Sequence, residues 1–202
     1  MYKHINSWRD SSSAFEQQLA RNIQELQGKF PPHWDHFVTY LKNNNIDRVV
    51  DIGCGAGAYY AITSQMGIEY VGYDYSQHAV DLATKAWDGN FICKNYKDIT
   101  TLDIQKGDLI VANALCDVLP NGNECLRDLL QLQAENLLIQ RIRITSIPSF
   151  SMEYKAYGIM TYEFYHNSQQ LAQDIEQNGY TTTYHKLYDD VLDLEISKMD
   201  KT

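Results

Sequence analysis

Residues 49–57, Val-Val-Asp-Ile-Gly-Cys-Gly-Ala-Gly, constrain the fold of this chain more than any other stretch. Val49, Val50 and Ile52 read as a buried strand around Asp51, and Gly53, Gly55 and Gly57 follow at every second position. A glycine takes positive φ at little cost and lets a ligand touch the backbone. Such a turn between strand and helix places a nucleotide or nucleoside at the carboxyl edge of a parallel sheet. The third glycine comes one residue early for the dinucleotide pattern G-x-G-x-x-G, and no G-x-x-x-x-G-K-[ST] occurs, so a P-loop is excluded.

Three later stretches agree with a nucleoside site. Ile68, Tyr70 and Val71 predict a second strand ending at Asp74, which lies 21 residues after Gly53. That is close to the ~20-residue offset at which an acidic residue meets a ribose hydroxyl pair. A carboxylate suits the task because charge-assisted hydrogen bonds are strong. The bland alternative for Asp74 is a helix cap or turn residue, a task that Ser76 can equally perform for the helix that follows. Tyr75 is placed to lie against an adenine face. Residues 91–94 predict a short third strand, followed by the loop acid Asp98. Leu109 to Ala112 read as a buried strand with Asn113 and Ala114 at its carboxyl end, and Asp117 leads on towards the pocket.

The D-x-G-x-G-x-G form of Asp51–Gly57 resembles the first motif of class I S-adenosylmethionine-dependent methyltransferases. The resemblance covers roughly residues 46–198. It implies a Rossmann-like α/β fold: a seven-stranded, mostly parallel sheet with its last strand antiparallel and helices on both faces. It also implies S-adenosylmethionine as cofactor, its methionine portion held at Asp51, Gly53, Cys54, Gly55 and Gly57. Asp74 would then hold the ribose, Tyr75 and Asp98 the adenine, and Asn113 and Ala114 would line the approach to the methyl. A fainter resemblance covers residues 143–180: Ile147-Pro148-Ser149-Phe150, Thr161 to Asn167, and Gly179-Tyr180. It is to methyltransferases encoded in bacterial surface-polysaccharide clusters, and implies a sugar or sugar-linked acceptor. Two rivals share the sheet. A nicotinamide-linked oxidoreductase leaves the early third glycine unexplained, and Tyr154-Lys155 are adjacent rather than spaced as Tyr-x-x-x-Lys. A non-catalytic cofactor-binding scaffold would keep the glycine turn without the chemistry.

The alternation of elements supports an α/β reading. Helices are expected over 12–28, 33–44, 57–66, 76–86, 122–133 and 168–177. Strands are expected near 47–52, 69–73, 90–94, 108–113 and 136–142, and Tyr180–Leu187 and Val191–Ser197 form a closing hairpin. Residues 143–164 show no clear periodicity. The chain reads as one domain, with residues 1–45 a helical lid or substrate segment and 46–202 the cofactor-binding unit.

Composition narrows the partners. Hydrophobic residues at 44% and charged residues at 21% are ordinary for a globular chain. A net charge of −9 without basic runs argues against nucleic acid. The fourth-strand end, Asn-Ala-Leu-Cys, lacks the N-P-P-[YF] of amide methyltransferases. A small-molecule or peptide acceptor is expected. No cysteine pair has C-x-x-C spacing, so no metal is expected. A polar start and the lack of an apolar run predict no membrane association and a cytoplasmic chain. A homodimer stays open.

The 15 tyrosines and the aromatics of 1–45 and 143–165 mark where an acceptor would sit: Tyr2, Trp8, Phe15, Trp34 and Phe37, then Phe150, Tyr154, Tyr157, Tyr162, Phe164 and Tyr165. Each of them can equally be core. Methyl transfer to nitrogen needs mainly orientation, whereas transfer to oxygen or carbon needs a base. The candidates are His4, His33, His36, His166 and Asp117, with His166 favoured over His36. His185, on a strand expected at the edge, is expected to be structural.

Overall fold

Successive residues of a strand face opposite sides of a sheet, and in β1 (Arg48–Ile52) both sides are apolar. The computed structural model, which describes residues 11–199, shows why. Val50 and Ile52 enter one core with Val71, Ile110, Leu137 and Ile139. Leu126, Leu129 and Leu130 of α5 (Gly122–Leu130) and Leu171 and Ile175 of α6 (Ser168–Gln177) cover that face. Val49 enters a second core with Leu109, Val111 and Leu138. That core is covered by Trp34, Phe37, Tyr40 and Leu41 of α2 (Pro32–Asn44) and by Tyr59 and Ile62 of α3 (Ala58–Gln65). Leu138 is fully buried, and truncating such a side chain to alanine costs about 2–5 kcal/mol.

β1 pairs in parallel with β2 (Glu69–Asp74) and β4 (Leu109–Asn113); β2 pairs with β3 (Asn90–Cys93), and β4 with β5 (Asn136–Thr145). β9 (Val191–Lys198) runs antiparallel between β5 and β8 (Tyr180–Tyr188). The mostly parallel sheet closed by an antiparallel strand is the architecture expected from the sequence. Local signals start the helices where the sequence placed them. Ser11 Oγ accepts from Ala14 N (3.3 Å) at α1 (Ser12–Gln27), Ser76 Oγ from Ala79 N (3.4 Å) at α4 (Gln77–Ala86), and Asn167 Oδ1 from Gln170 N (2.9 Å) at α6.

Among the described residues the sheet has nine strands, two more than expected. The segment read as aperiodic is a hairpin, β6 (Phe150–Ala156) and β7 (Ile159–Asn167). Tyr157 and Gly158 join its strands with φ of 50° and 82°, the positive pair that a tight two-residue hairpin turn requires. β7 docks in parallel on the last residues of β5, Arg143 to Thr145, so the hairpin extends past the carboxyl edge of the sheet.

The N-terminal helices differ from each other in role. α2 belongs to the core: Phe37 is fully buried and Trp34 nearly so. α1 lies over the glycine turn, with Gln18 Oε1 accepting from Ala56 N at 3.1 Å. His4, Tyr2 and Trp8 lie outside the described residues. No helix among the described residues is long and apolar enough to cross a membrane.

Candidate active site

The carboxyl ends of β1, β2, β4 and β5 open into a cavity of about 460 Å³, walled by α1 on one side and the β6–β7 hairpin on another. This is where a parallel sheet of this order presents its loops to a ligand. Gly53, with φ of 82°, lies in the wall. A Cβ there would stand 3.2 Å from the Leu115 side chain, so glycine keeps both the turn and the open space.

Asp74 lies in the wall and ties the two loops together. Gly55 N donates to its Oδ2 and Ser76 N to its Oδ1, both at 2.9 Å. Burial pushes its carboxyl up to about 6, opposed by these backbone donors. A third backbone hydrogen bond, from Tyr75, adds to these two. Cys54, Gly55, Tyr75, Asn113 and Ala114 also line the cavity. Ala114, with φ of 52°, is one of two strained non-glycine residues in this part of the wall; Arg141, at 60°, is the other.

Three expected cofactor contacts are displaced from the cavity. Asp51 is buried behind the turn, where its Oδ2 accepts from Tyr70 Oη at 2.8 Å, and burial raises its carboxyl to about 7. It braces the strand end from within. Gly57, the first residue before α3, takes φ of 77° and packs towards Phe91 and Trp87 rather than the cavity. Asp98 is exposed on a single 3-10 turn, outside the cavity wall.

The histidine expectations are also corrected. His166, on β7, is fully buried, with Nδ1 2.8 Å from Asn123 Oδ1 and the ring edge-on to Phe164. Burial lowers its pKa to about 4, which keeps it neutral, and it does not reach the cavity. His36 sits on the far side of α2. Its Nδ1 is 2.7 Å from Asp193 Oδ2, its Nε2 is 2.7 Å from Glu195 Oε1, and it stacks on His185 with ring centroids 4.0 Å apart. Burial opposes its charge, but the two carboxylates raise its pKa overall. It is a structural ion pair. His33 does line the cavity, but burial lowers its pKa to about 2.

Asp117 remains as the cavity's candidate base. Asp117 lines the wall, its Oδ1 is buried with no hydrogen-bond partner among the described residues, and burial raises its pKa to about 6, with Arg141 and Arg143 pulling the other way. The main chain of Asp117 is fixed by Phe164 N, which donates to its carbonyl at 2.7 Å. Tyr154, Tyr157 and Tyr162 of the hairpin, with Phe15 and Trp34, supply aromatic wall. Phe37 and Phe164 are core instead, and Phe150 stacks on Tyr165 with ring centroids 4.8 Å apart.

Residues 140 and 141 carry a feature that strand periodicity does not show. The register of β5 against β9 slips between Ile139 and Ile142. Such a bulge re-aims a side chain. Arg141 turns into the cavity and its Nε donates to Asn113 Oδ1 at 2.8 Å. Buried Asp193 holds the bulge: Arg141 N donates to Oδ1 at 2.9 Å and Gln140 Nε2 to Oδ2 at 2.7 Å. Gln140 Nε2 also donates to the His33 carbonyl at 2.7 Å, and its Oε1 accepts from Tyr59 Oη.

Among the described residues, no group of three or more His, Cys, Asp or Glu could hold a metal ion.

Comparison with known proteins agrees with this architecture. The sequence model of a family described as a methyltransferase domain matches residues 43–189, which is 147 of the 202 residues. A ribosomal protein L11 methyltransferase from Thermotoga neapolitana is 34% identical over 82 residues, 39% of this chain. The match spans 30% of that relative's length. An S-adenosylmethionine-dependent methyltransferase from Clostridium acetobutylicum superposes with a TM-score of 0.65 at 10% identity, over 92% of this chain and 99% of that one. The magnesium protoporphyrin IX methyltransferase of Synechocystis, solved with S-adenosylmethionine bound, superposes with a TM-score of 0.58 at 18% identity, over 81% of this chain and 77% of its own.

Proposed function

The chain belongs to the methyltransferase-domain family, and from that premise we propose that its cavity binds S-adenosylmethionine and passes the methyl group to an oxygen or nitrogen of a small molecule. One observation carries the reading: the glycine turn, the Asp74 carboxylate and the Asp117 carboxyl, which come from separate loops, all face a single cavity of about 460 Å³. When bound, the cofactor supplies a methyl group on a sulfonium, a leaving group that departs as a neutral thioether.

The chain's own residues have three tasks. Gly53, Cys54 and Gly55 leave room beside the backbone for the methionine portion, with Asn113 and Ala114 on the adjacent loop. Asp74 accepts from the ribose hydroxyls, and the backbone donors of Gly55, Tyr75 and Ser76 keep it oriented for that. Tyr75 lies beside it for the base. Asp117 takes the proton of an acceptor hydroxyl or ammonium, the task for which a carboxyl raised to about 6 is suited near neutral pH. α1 and the hairpin limit access of water, so the electrostatics of the site are less screened. In this reading residues 1–45 divide, with α1 serving as lid and α2 as part of the fold.

Calorimetric titration with S-adenosylmethionine and, separately, with NAD tests the cofactor. Micromolar binding of S-adenosylmethionine that Asp74→Ala weakens at least tenfold is expected. Binding of NAD without S-adenosylmethionine overturns the reading.

A further inference from the structure

Among the described residues, one guanidinium in the cavity wall has no carboxylate within ion-pairing distance. Arg21 is paired with Glu25 (2.7 Å), and Arg143 with Glu163 (2.7 Å) and Asp190 (3.5 Å). Arg141 makes a single side-chain hydrogen bond, from Nε to Asn113 Oδ1, and no carboxylate among the described residues lies within ion-pairing distance of it. Arg141 itself lines the cavity. This arrangement is built at some cost. Arg141 holds φ of 60°, where a residue with a Cβ is strained. Fully buried Asp193 spends one carboxylate oxygen on the Arg141 N–H and the other on Gln140 and His36. Strain kept in place by buried bonds at a cavity is a mark of a working position.

Place and charge then say what the guanidinium meets. Arg141 rises from β5, and β4 separates β5 from β1. At the usual strand spacing its backbone stands roughly 10 Å from the glycine turn. That puts it beyond the methionine end of a cofactor seated on that turn, on the acceptor's side. The guanidinium fork matches the two oxygens of a carboxylate or phosphate. Asp117, with its partnerless Oδ1, lines the same wall, and Tyr154 and Tyr162 offer ring surface between hairpin and sheet.

We propose that Arg141, aimed by the bulge and oriented by Asn113, is the oxyanion-binding residue of the acceptor subsite, and that the acceptor is a small ring compound bearing both an oxyanion and a hydroxyl. The oxyanion docks on Arg141 and the hydroxyl faces Asp117. The assignment of the acceptor rests on the methyltransferase reading; the oxyanion subsite itself is testable without it.

The test uses benzoate, the three hydroxybenzoates and inorganic phosphate as probes. Each is titrated into the full chain with and without saturating S-adenosylhomocysteine. Benzoate is expected to bind the loaded protein, at least one hydroxybenzoate more tightly, and Arg141→Gln to weaken both at least tenfold. The affinity for S-adenosylhomocysteine should change less than twofold. Arg141→Lys, which keeps the charge and loses the fork, should fall between, and retained S-adenosylhomocysteine binding reports that the variants are folded. Phosphate binding in place of benzoate, with the same dependence on Arg141, identifies the oxyanion as a phosphate. Failure of every probe, equal binding by Arg141→Gln, or loss of S-adenosylhomocysteine in that variant overturns the proposal. Failure of wild-type protein to bind S-adenosylhomocysteine, with Arg141-dependent benzoate binding intact, sinks the cofactor reading and leaves the subsite.

Discussion

Replacing Asp193 with alanine removes the acceptor on which the bulge and the α2–β9 contact both depend. Asp193 is fully buried and accepts from His36 Nδ1, Gln140 Nε2 and Arg141 N at 2.7, 2.7 and 2.9 Å. The substitution strands three donors away from water. At ~1–3 kcal/mol for each stranded buried donor, the variant should lose about 4 kcal/mol. That is a large fraction of the ~5–15 kcal/mol that holds a typical domain folded. Glu195 is the internal control. It bonds the same histidine, but its side chain is 35% exposed, so Glu195→Ala should cost about 1 kcal/mol or less. The sign with pH follows from His36. Its pKa is raised in the fold, so its contribution is full below the unfolded value of about 6.5 and fades as pH rises through the folded value. The gap between wild type and Asp193→Ala should therefore be wider at pH 6 than at pH 9. Urea unfolding followed by circular dichroism at both pH values measures this. A loss below about 1 kcal/mol, or one no larger than that of Glu195→Ala, would refute the claim that Asp193 supports the bulge.

Asp117→Asn should lower methyl transfer to an oxygen acceptor by about 10²–10⁴-fold. It should also abolish the rise of activity as pH climbs through about 6, where the wild-type carboxyl loses its proton; a profile identical to wild type would exclude the base role. Gly57→Ala puts a Cβ 2.8 Å from the Phe91 ring at φ of 77°, so strain and overpacking together should cost about 2–4 kcal/mol in thermal or urea unfolding. Gly179→Ala, at φ of 84° with open space around it, should show only the strain of about 1 kcal/mol. His166→Ala should lower stability by several kcal/mol by leaving a buried void, on the order of 3, while turnover at a temperature where the variant is folded stays near wild type; a large fall in kcat there would restore His166 to the chemistry.

Much of the fold is legible in local patterns because those patterns report local physics. A strand buried on both faces is apolar throughout, as in Leu109 to Ala112, and a helix needs its first N–H groups satisfied, as by Ser11, Ser76 and Asn167. The β6–β7 hairpin is not among the elements expected from the sequence, although a faint period is present. Phe150, Met152 and Tyr154 alternate with Ser151, Glu153 and Lys155 ahead of Tyr157-Gly158. Most of β6 is exposed, so the alternation lacks the contrast of a half-buried strand.

The site divides along the same line. Gly53, Gly55 and Asp74 were legible because a turn that needs positive φ and an acid at a set distance from it are chain-local requirements. Asp51 and Asp98 were not, because whether a loop carboxylate faces a cavity or a tyrosine is decided by what packs behind it. His36 and His166 show this most plainly. Each is a plausible base on paper, and each is consumed by partners from distant parts of the chain: Asp193 and Glu195 for one, Asn123 for the other. Arg141 reads as an interior strand residue, and only the slip of β5 against β9 turns it inward.

By itself the sequence determined the parallel sheet, its order of alternating elements and the nucleoside-type turn, since these depend on side-chain period and backbone freedom over a few residues. The tertiary structure alone decided which titratable groups face the cavity, with what pKa, and beside which charge. Those properties depend on burial and on pairs such as Gln140 with His33 and Asp193 with Arg141, which lie far apart in the chain and meet only when both faces of the sheet are packed.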